Sequence, residues 1–307
     1  MADPGVATGE GPAIRLKGVT KRYGKVTAVE GLDLEVRRGE VFGFLGPNGA
    51  GKTTTLRMLL DLIRPTAGQV EVLGLDPRRD GPRLRRRIGY LSGEPALYGN
   101  WTGQRHLDLV AGLRGGQPDT KVEELARRLA CRLDMPVQEL SHGNRQKVAL
   151  VAAMGTDPEL LLLDEPTQGL DPLAREAVHD LVREARRRGI TVFLSSHDLH
   201  EVQEVCDRVA LIREGRLVAV AGIREMLASQ PRRVQASLSR VPELAALQGI
   251  PGVTQVELQG RFVRARVMPP LAPFLEALRA YGIHDLVSQP PDLEDLFLTS
   301  YRGLGHV

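Results

Sequence analysis

Residues 41–56 read VFGFLGPNGAGKTTTL, an apolar run that breaks into a glycine-rich turn and resumes as helix-forming sequence. Val41 to Leu45 has the length and apolar character of a buried strand. Gly46 to Thr53 fits the pattern G-x-x-x-x-G-K-[ST], placed as the chemistry requires: after a strand and at the start of a helix from about Gly51. The loop Gly46, Pro47, Asn48, Gly49, Ala50 and Gly51, with Lys52, Thr53 and Thr54 opening the helix, surrounds phosphate oxygens with backbone N–H groups, and the helix N-terminus adds its own free donors. Lys52 meets the β- and γ-phosphates of a nucleotide, and the Thr53 hydroxyl is an oxygen ligand for the Mg²⁺ that bridges them.

A second run, Leu160 to Leu163, is a buried strand that ends in Asp164, Glu165 and Pro166. Neighbouring strand residues point in opposite directions, so the two carboxylates can do different work. Asp164 suits the metal's outer shell, and Glu165 is placed to orient and deprotonate an attacking water. Around these two landmarks, a helix from about Pro172, a strand Thr191 to Leu194 and strands at Ile88 to Leu91, Val209 to Arg213 and Leu217 to Val220 alternate strand with helix, which predicts a parallel sheet. Ile14 to Val19, Leu32 to Val36 and Val70 to Leu73 predict further strands, the first two antiparallel. The middle of the chain predicts helices, with Val122, Leu125, Ala126 and Leu129 on one face.

Near Gln230 and Pro231 the pattern changes to strand, helix, strand, strand, helix, strand and a final helix. That is a small α+β module in the ferredoxin-like order. Two domains are expected, 12–230 and 231–307. Pro290 and Pro291 announce the final helix, with Asp292 as its N-cap and Leu293, Leu296, Phe297 and Tyr301 on one face.

With 307 residues the chain has room for a large and a small core, and 42% hydrophobic with 26% charged residues is ordinary globular composition. A net charge of +3 and 4% aromatics give little provision for base stacking, so no nucleic-acid partner is expected. Cys131 and Cys206 have neither CxxC spacing nor companion histidines, which argues for a reducing cytosol rather than a metal or disulfide framework. The first residues lack a signal peptide's basic start and apolar run. No apolar stretch approaches the roughly 20 residues of a membrane-spanning helix. A membrane task would need a second polypeptide.

Taken with these motifs, the stretch from about Ile14 to Ala221 resembles a nucleotide-binding subunit of the ATP-binding cassette (ABC) transporter superfamily. Tyr23 stands where that family stacks an aromatic on adenine. Leu140-Ser141-His142-Gly143-Asn144 resembles the signature motif, Gly169-Leu170-Asp171 the D-loop, and His197 the switch histidine. The resemblance implies a P-loop α/β cassette with an antiparallel β subdomain and a helical subdomain. It implies ATP and Mg²⁺ as cofactors, and catalysis by Glu165, His197 and Lys52. It also implies a homodimer in which Ser141, Gly143 and Asp171 of one copy face the nucleotide of the other. Ser141 would cap a helix whose free N–H groups form that second anion site.

The segment from about Arg232, ending in Pro290-Pro291-Asp292-Leu293-Glu294-Asp295-Leu296-Phe297, resembles the C-terminal extension of ABC-2 type export ATPases. Their permease is a separate transmembrane chain, which would hold this protein at the inner face of the cell membrane. Two rival readings are a soluble ABC ATPase acting on ribosomes or DNA, and a nucleotide-gated module that hardly hydrolyses ATP. Three positions depart from the family pattern. Gly93 replaces the usual loop glutamine, with Glu94 next to it, and His142 and Asn144 replace a glycine and a glutamine of the signature. Arg83, Arg85, Arg86 and Arg87 form a basic cluster that reads as a headgroup contact or a solvated face. Tyr98 and Trp101 read as permease anchors, with core packing as the other reading of Trp101.

Overall fold

The computed structural model describes residues 11–113, 120–228 and 230–289. The helix expected from Pro290 lies outside the described residues. Compact units divide between Ala221 and Gly222.

In the first unit, β1 (Ile14–Tyr23) and β2 (Val26–Val36) pair antiparallel. Their register sets Ile14 opposite Val36, Leu16 opposite Leu34 and Val19 opposite Leu32. All six are buried, so the alternation in sequence becomes one apolar face. β3 (Val41–Leu45) leads into α1 (Lys52–Leu59), and β4 (Ala67–Val72) adds to the free edge of β1, giving a sheet ordered β2-β1-β4.

The helices α2 (Gly81–Arg85), α3 (Gly103–Leu113), α4 (Thr120–Arg128) and α5 (His142–Met154) surround β5 (Ile88–Leu91) in sequence and precede β6 (Leu160–Asp164). On α4 the expected face Val122, Leu125 and Ala126, continued by Leu129, is buried. α6 (Pro172–Arg187), β7 (Thr191–Ser196), α7 (Leu199–Val205), β8 (Arg208–Arg213) and β9 (Arg216–Gly222) complete the unit. β8 and β9 are joined by Glu214-Gly215, both at positive φ (50° and 77°), as a tight hairpin turn requires.

The second sheet is six-stranded in the order β5-β6-β7-β3-β8-β9. Strands β5, β6, β7, β3 and β8 run parallel. β3, β6 and β7 are buried along their whole length, as strands covered on both faces must be. Phe193 stacks on Phe42 at 5.8 Å and meets Phe44 at 5.4 Å, tying β7 to β3. Each such ring contributes roughly 2–3 kcal/mol by leaving water. Because β6, β7 and β3 are neighbours and parallel, the segments that follow Leu45, Asp164 and Ser196 all emerge at one end of the sheet, where open α/β sheets place ligands.

The second unit opens with α8 (Ile223–Ala228). It continues as β10 (Arg232–Leu238), α9 (Leu244–Gln248), β11 (Val253–Gln259), β12 (Phe262–Val267), α10 (Ala272–Arg279) and β13 (Ile283–Gln289). The sheet is antiparallel in the order β11-β12-β10-β13. Val234, Ala236 and Leu238 of β10 pack with Val263, Ala265 and Val267 of β12 under Leu247, Phe274 and Leu278 of the two helices. Among the described residues no helix is long and apolar enough to cross a membrane.

Candidate functional site

Gly46 leaves β3 so close to β8 that an added Cβ would lie 2.3 Å from the Ile212 carbonyl oxygen. Gly51, at φ 107°, passes 2.6 Å from the Ala28 carbonyl by the same measure. Glycine is needed at both, the second for its backbone as well as its space. The loop so shaped borders a cleft of about 410 Å³ lined by Pro47, Asn48, Gly49, Gly51, Lys52, Thr53 and Thr54 on one side and by Asp164, Glu165, Gly93 and Glu94 on the other. Lys52 is 7% exposed, and its ammonium donates to the carbonyls of Gly46 at 2.6 Å and Pro47 at 3.3 Å.

The two carboxylates at the end of β6 diverge as neighbours on a strand should. Asp164 accepts from the Thr53 hydroxyl at 2.7 Å with one oxygen and from Ser195 with the other. Glu165 turns into the cleft at φ 50°, a left-handed conformation that costs about 1–3 kcal/mol in a residue with a side chain. Its Oε1 lies 3.2 Å from Lys52 Nζ as an ion pair, but no hydrogen bond is aligned on that buried oxygen. Its Oε2 lies 2.8 Å from Nδ1 of His197, which follows β7.

The oxygen pair of Thr53 and Asp164 has the donor chemistry of a Mg²⁺ site. Among the described residues there is no cluster of three or more His, Cys, Asp or Glu side chains able to hold a metal unaided. A hard cation held by that oxygen pair would take its other ligands from water and phosphate, the way Mg²⁺ is held beside nucleotides.

Tyr23, Ser141, Gly143, Asp171 and His197 do not line this cleft. Tyr23, at the end of β1, is 47% exposed with Lys21 over its ring. Ser141 caps α5 by accepting from the Asn144 amide at 3.2 Å, and Asp171 caps α6 by accepting from Ala174 at 2.9 Å. Gly143 and Gly169 are pressed together, since a Cβ on Gly143 would lie 2.7 Å from the Gly169 carbonyl, and one on Gly169 would strike the His142 ring. The Asn144 amide brackets the backbone of Arg132, accepting from its N–H and donating to its carbonyl, both at 3.1 Å. The residue that departs from the signature pattern therefore ties the start of α5 to the segment after α4.

Of the arginine cluster, Arg87 forms a two-pronged pair with Glu159, and Arg85 donates to the Leu60 carbonyl. Tyr98, Trp101 and His106 form an aromatic group, with Tyr98 and Trp101 centroids 4.7 Å apart and Tyr98 61% exposed.

Sequence reasoning missed Gln146 and Glu201. Gln146, fully buried in α5, donates to the carbonyls of Glu165 at 3.1 Å and Pro166 at 3.4 Å, linking the signature helix to the acidic turn. Glu201 is a buried carboxyl in the first turn of α7. Its polar neighbours in α7 give no hint of that burial.

The ABC transporter family profile matches residues 29–168. The daunorubicin resistance ATP-binding protein of Streptomyces coeruleorubidus is 38% identical over 93% of this chain and 95% of its own length. The Nod factor export ATP-binding protein I of Ralstonia nicotianae is 34% identical over 96% of this chain and 95% of its own. In the dimeric structure of a bacterial ABC transporter cassette, a chain 26% identical superposes with a TM-score of 0.63, covering 69% of this chain and 99% of that one.

Proposed function

Because the chain belongs to the ABC transporter family, as an ATP-binding protein related to export ATPases across nearly its whole length, we propose that it binds and hydrolyses Mg-ATP to drive a separate membrane permease. The observation that carries this reading is the convergence of Lys52, Glu165 and His197 beside the glycine loop, at 3.2 Å and 2.8 Å. A mere binding loop would need the first of these and not the other two.

The contacts support roles for the residues of the cleft, and the family resemblance supports those of the residues outside it. The loop amides and Lys52 bind the phosphates, with Lys52 exchanging its carbonyl partners for phosphate oxygens. Thr53 and Asp164 hold Mg²⁺, which when bound neutralises charge on the transferred phosphoryl group. Glu165 takes the proton of the attacking water, and its bond to His197 fixes the carboxylate's direction. Tyr23 stacks on the base. Ser141, Gly143 and Asp171, which stand away from this cleft, are supplied to the nucleotide of a second copy, an arrangement supported by the dimeric neighbour. Residues from about Arg232 form a separate domain serving dimer or permease assembly. The permease places the protein at the inner face of the cell membrane.

Phosphate release by the purified chain with Mg-ATP tests the reading. Turnover that requires Mg²⁺ and rises with protein concentration, as a dimer demands, is the expected result. Tight ATP binding without turnover would replace the ATPase by a nucleotide-gated module.

A further inference from the structure

Glu201 lies in a short helix whose sequence, Leu199-His200-Glu201-Val202-Gln203-Glu204, reads as a solvated acidic surface, yet it is 5% exposed. Its Oε1 accepts from the Thr167 hydroxyl at 2.9 Å and its Oε2 from the Ser196 hydroxyl at 2.5 Å. Its own amide donates to Asp198, the cap of α7, at 3.3 Å.

Each hydroxyl belongs to a catalytic segment. Thr167 sits in the turn that begins at Glu165, where the Gln168 amide donates to the Glu165 carbonyl at 3.1 Å and the Leu170 amide to the Thr167 carbonyl at 3.2 Å. Ser196 ends β7, immediately before His197, and its carbonyl accepts from the Gly46 amide of the phosphate loop at 3.2 Å. One carboxyl thereby connects the segment that carries Glu165 to the segment that carries His197.

Among the described residues no lysine or arginine forms an ion pair with it. His179 of α6 stands 4.0 Å away, burial pushes the Glu201 carboxyl above its ordinary range, and Glu165 and Asp198 add like charge. An apolar residue would fill such a place at lower cost.

We propose that Glu201 is a positioning residue for hydrolysis, bracing Thr167 and Ser196 so that Glu165 and His197 keep their contact. The proposal rests on the ATPase reading above. Glu201 does not line the nucleotide cleft, so loss of the brace should reach the chemical step and leave affinity alone.

The test compares Glu201→Gln, Glu201→Ala and Thr167→Val in kcat, in ATP dissociation constant without turnover, and in the side-chain NMR signals of His197, identified by their loss in His197→Gln. Glutamine can accept from one hydroxyl and donate to the other, and should stay near wild type. Alanine and the Thr167→Val change should lower kcat about 10- to 100-fold, the penalty for a misplaced reacting group. ATP affinity should remain within about twofold, and the His197 signals should move. If Glu201→Ala does not fold, Thr167→Val, which removes a hydroxyl at constant volume, carries both readouts. Unmoved His197 signals, or kcat and affinity falling together, would overturn the proposal. A wild type without turnover would instead refute the ATPase reading, and the His197 signals would still decide whether the brace exists.

Discussion

Lys52 Nζ lies 3.2 Å from Glu165 Oε1, so the cation suited to phosphate and the carboxylate suited to water are each other's partner across the cleft. Both side chains are largely buried, 6% and 14% exposed. A pair in that setting is bound by desolvated charge, and removing one partner strands the other. On the proposed roles, a triphosphate would compete Lys52 away from Glu165 and so free the carboxylate for water as the substrate arrives.

Glu165→Gln removes the proton acceptor while keeping the size of the side chain. Hydrolysis should fall by about 10²- to 10⁴-fold, the usual worth of a general base. ATP should bind at least as tightly as to wild type, because Lys52 no longer has to leave a carboxylate. With γ-phosphate preserved, gel filtration in Mg-ATP should show a lasting dimer. A profile that stays monomeric would count against the two-copy arrangement.

Lys52→Ala should weaken ATP binding itself. A charge-assisted contact of this kind contributes about 1.5–3 kcal/mol, or roughly 10- to 100-fold in affinity. The variant also leaves the Glu165 carboxylate with His197 as its close side-chain partner among the described residues. Isothermal titration with ATP in the absence of Mg²⁺ measures the effect, and wild-type affinity would remove Lys52 from the phosphate contacts.

The strands beside the cleft were legible because apolar runs such as Val41–Leu45 and Leu160–Leu163 bury both faces, and their signal does not depend on distant partners. The order of elements from β10 to β13 was legible for a similar reason, through alternation such as Val234, Ala236 and Leu238 on the inner face of β10. The polar links were not. Gln146 follows Arg145 in a polar first turn of α5, and Glu201 neighbours Gln203 and Glu204 in α7, so local pattern assigns all of them to solvent. What buries Glu201 is a pair of hydroxyls supplied by other segments, Thr167 being 34 residues away. Bonds of that range follow from sheet order, which a periodicity reading does not supply.

The buried Glu201 carboxyl also carries a pH signature. Its folded value is raised, first by burial, so it contributes stability below the ordinary carboxylate range and loses that contribution as pH rises through the raised value. Among the described residues His179, Asp198, Glu165 and the buried Cys206 thiol are the titratable groups in electrostatic reach of it. Relative to Glu201→Gln, which does not titrate at this position, wild type should therefore lose stability as pH rises from the ordinary carboxylate range through the raised value. Urea midpoints of the two proteins at pH 5 and pH 8 give the difference directly. A difference that is constant with pH, or that moves in favour of wild type as pH rises, contradicts the raised carboxyl.

The last prediction concerns the loop after β5. A Cβ placed on Gly93 would lie 3.5 Å from Asp164 Oδ2, so a side chain at this position would run alongside the carboxylate assigned to the metal. Glycine leaves that space open, and Glu94, exposed at the rim of the same cleft, is the carboxylate this loop carries. Its backbone is already fixed in part, since the Ser92 hydroxyl donates to the Glu94 carbonyl at 2.8 Å. We propose that the Glu94 carboxylate does for Mg²⁺ what a glutamine at Gly93 would do from closer in. Mg²⁺ prefers oxygen and keeps several waters, so a carboxylate can act on it through one of those waters. Glu94→Ala should then shift the Mg²⁺ dependence of turnover to higher concentration, with metal-free nucleotide binding unchanged. Gly93→Gln in the Glu94→Ala background should bring the dependence back, because it restores an oxygen beside Asp164. Superimposable Mg²⁺ titrations of wild type and Glu94→Ala would assign Glu94 to solvent.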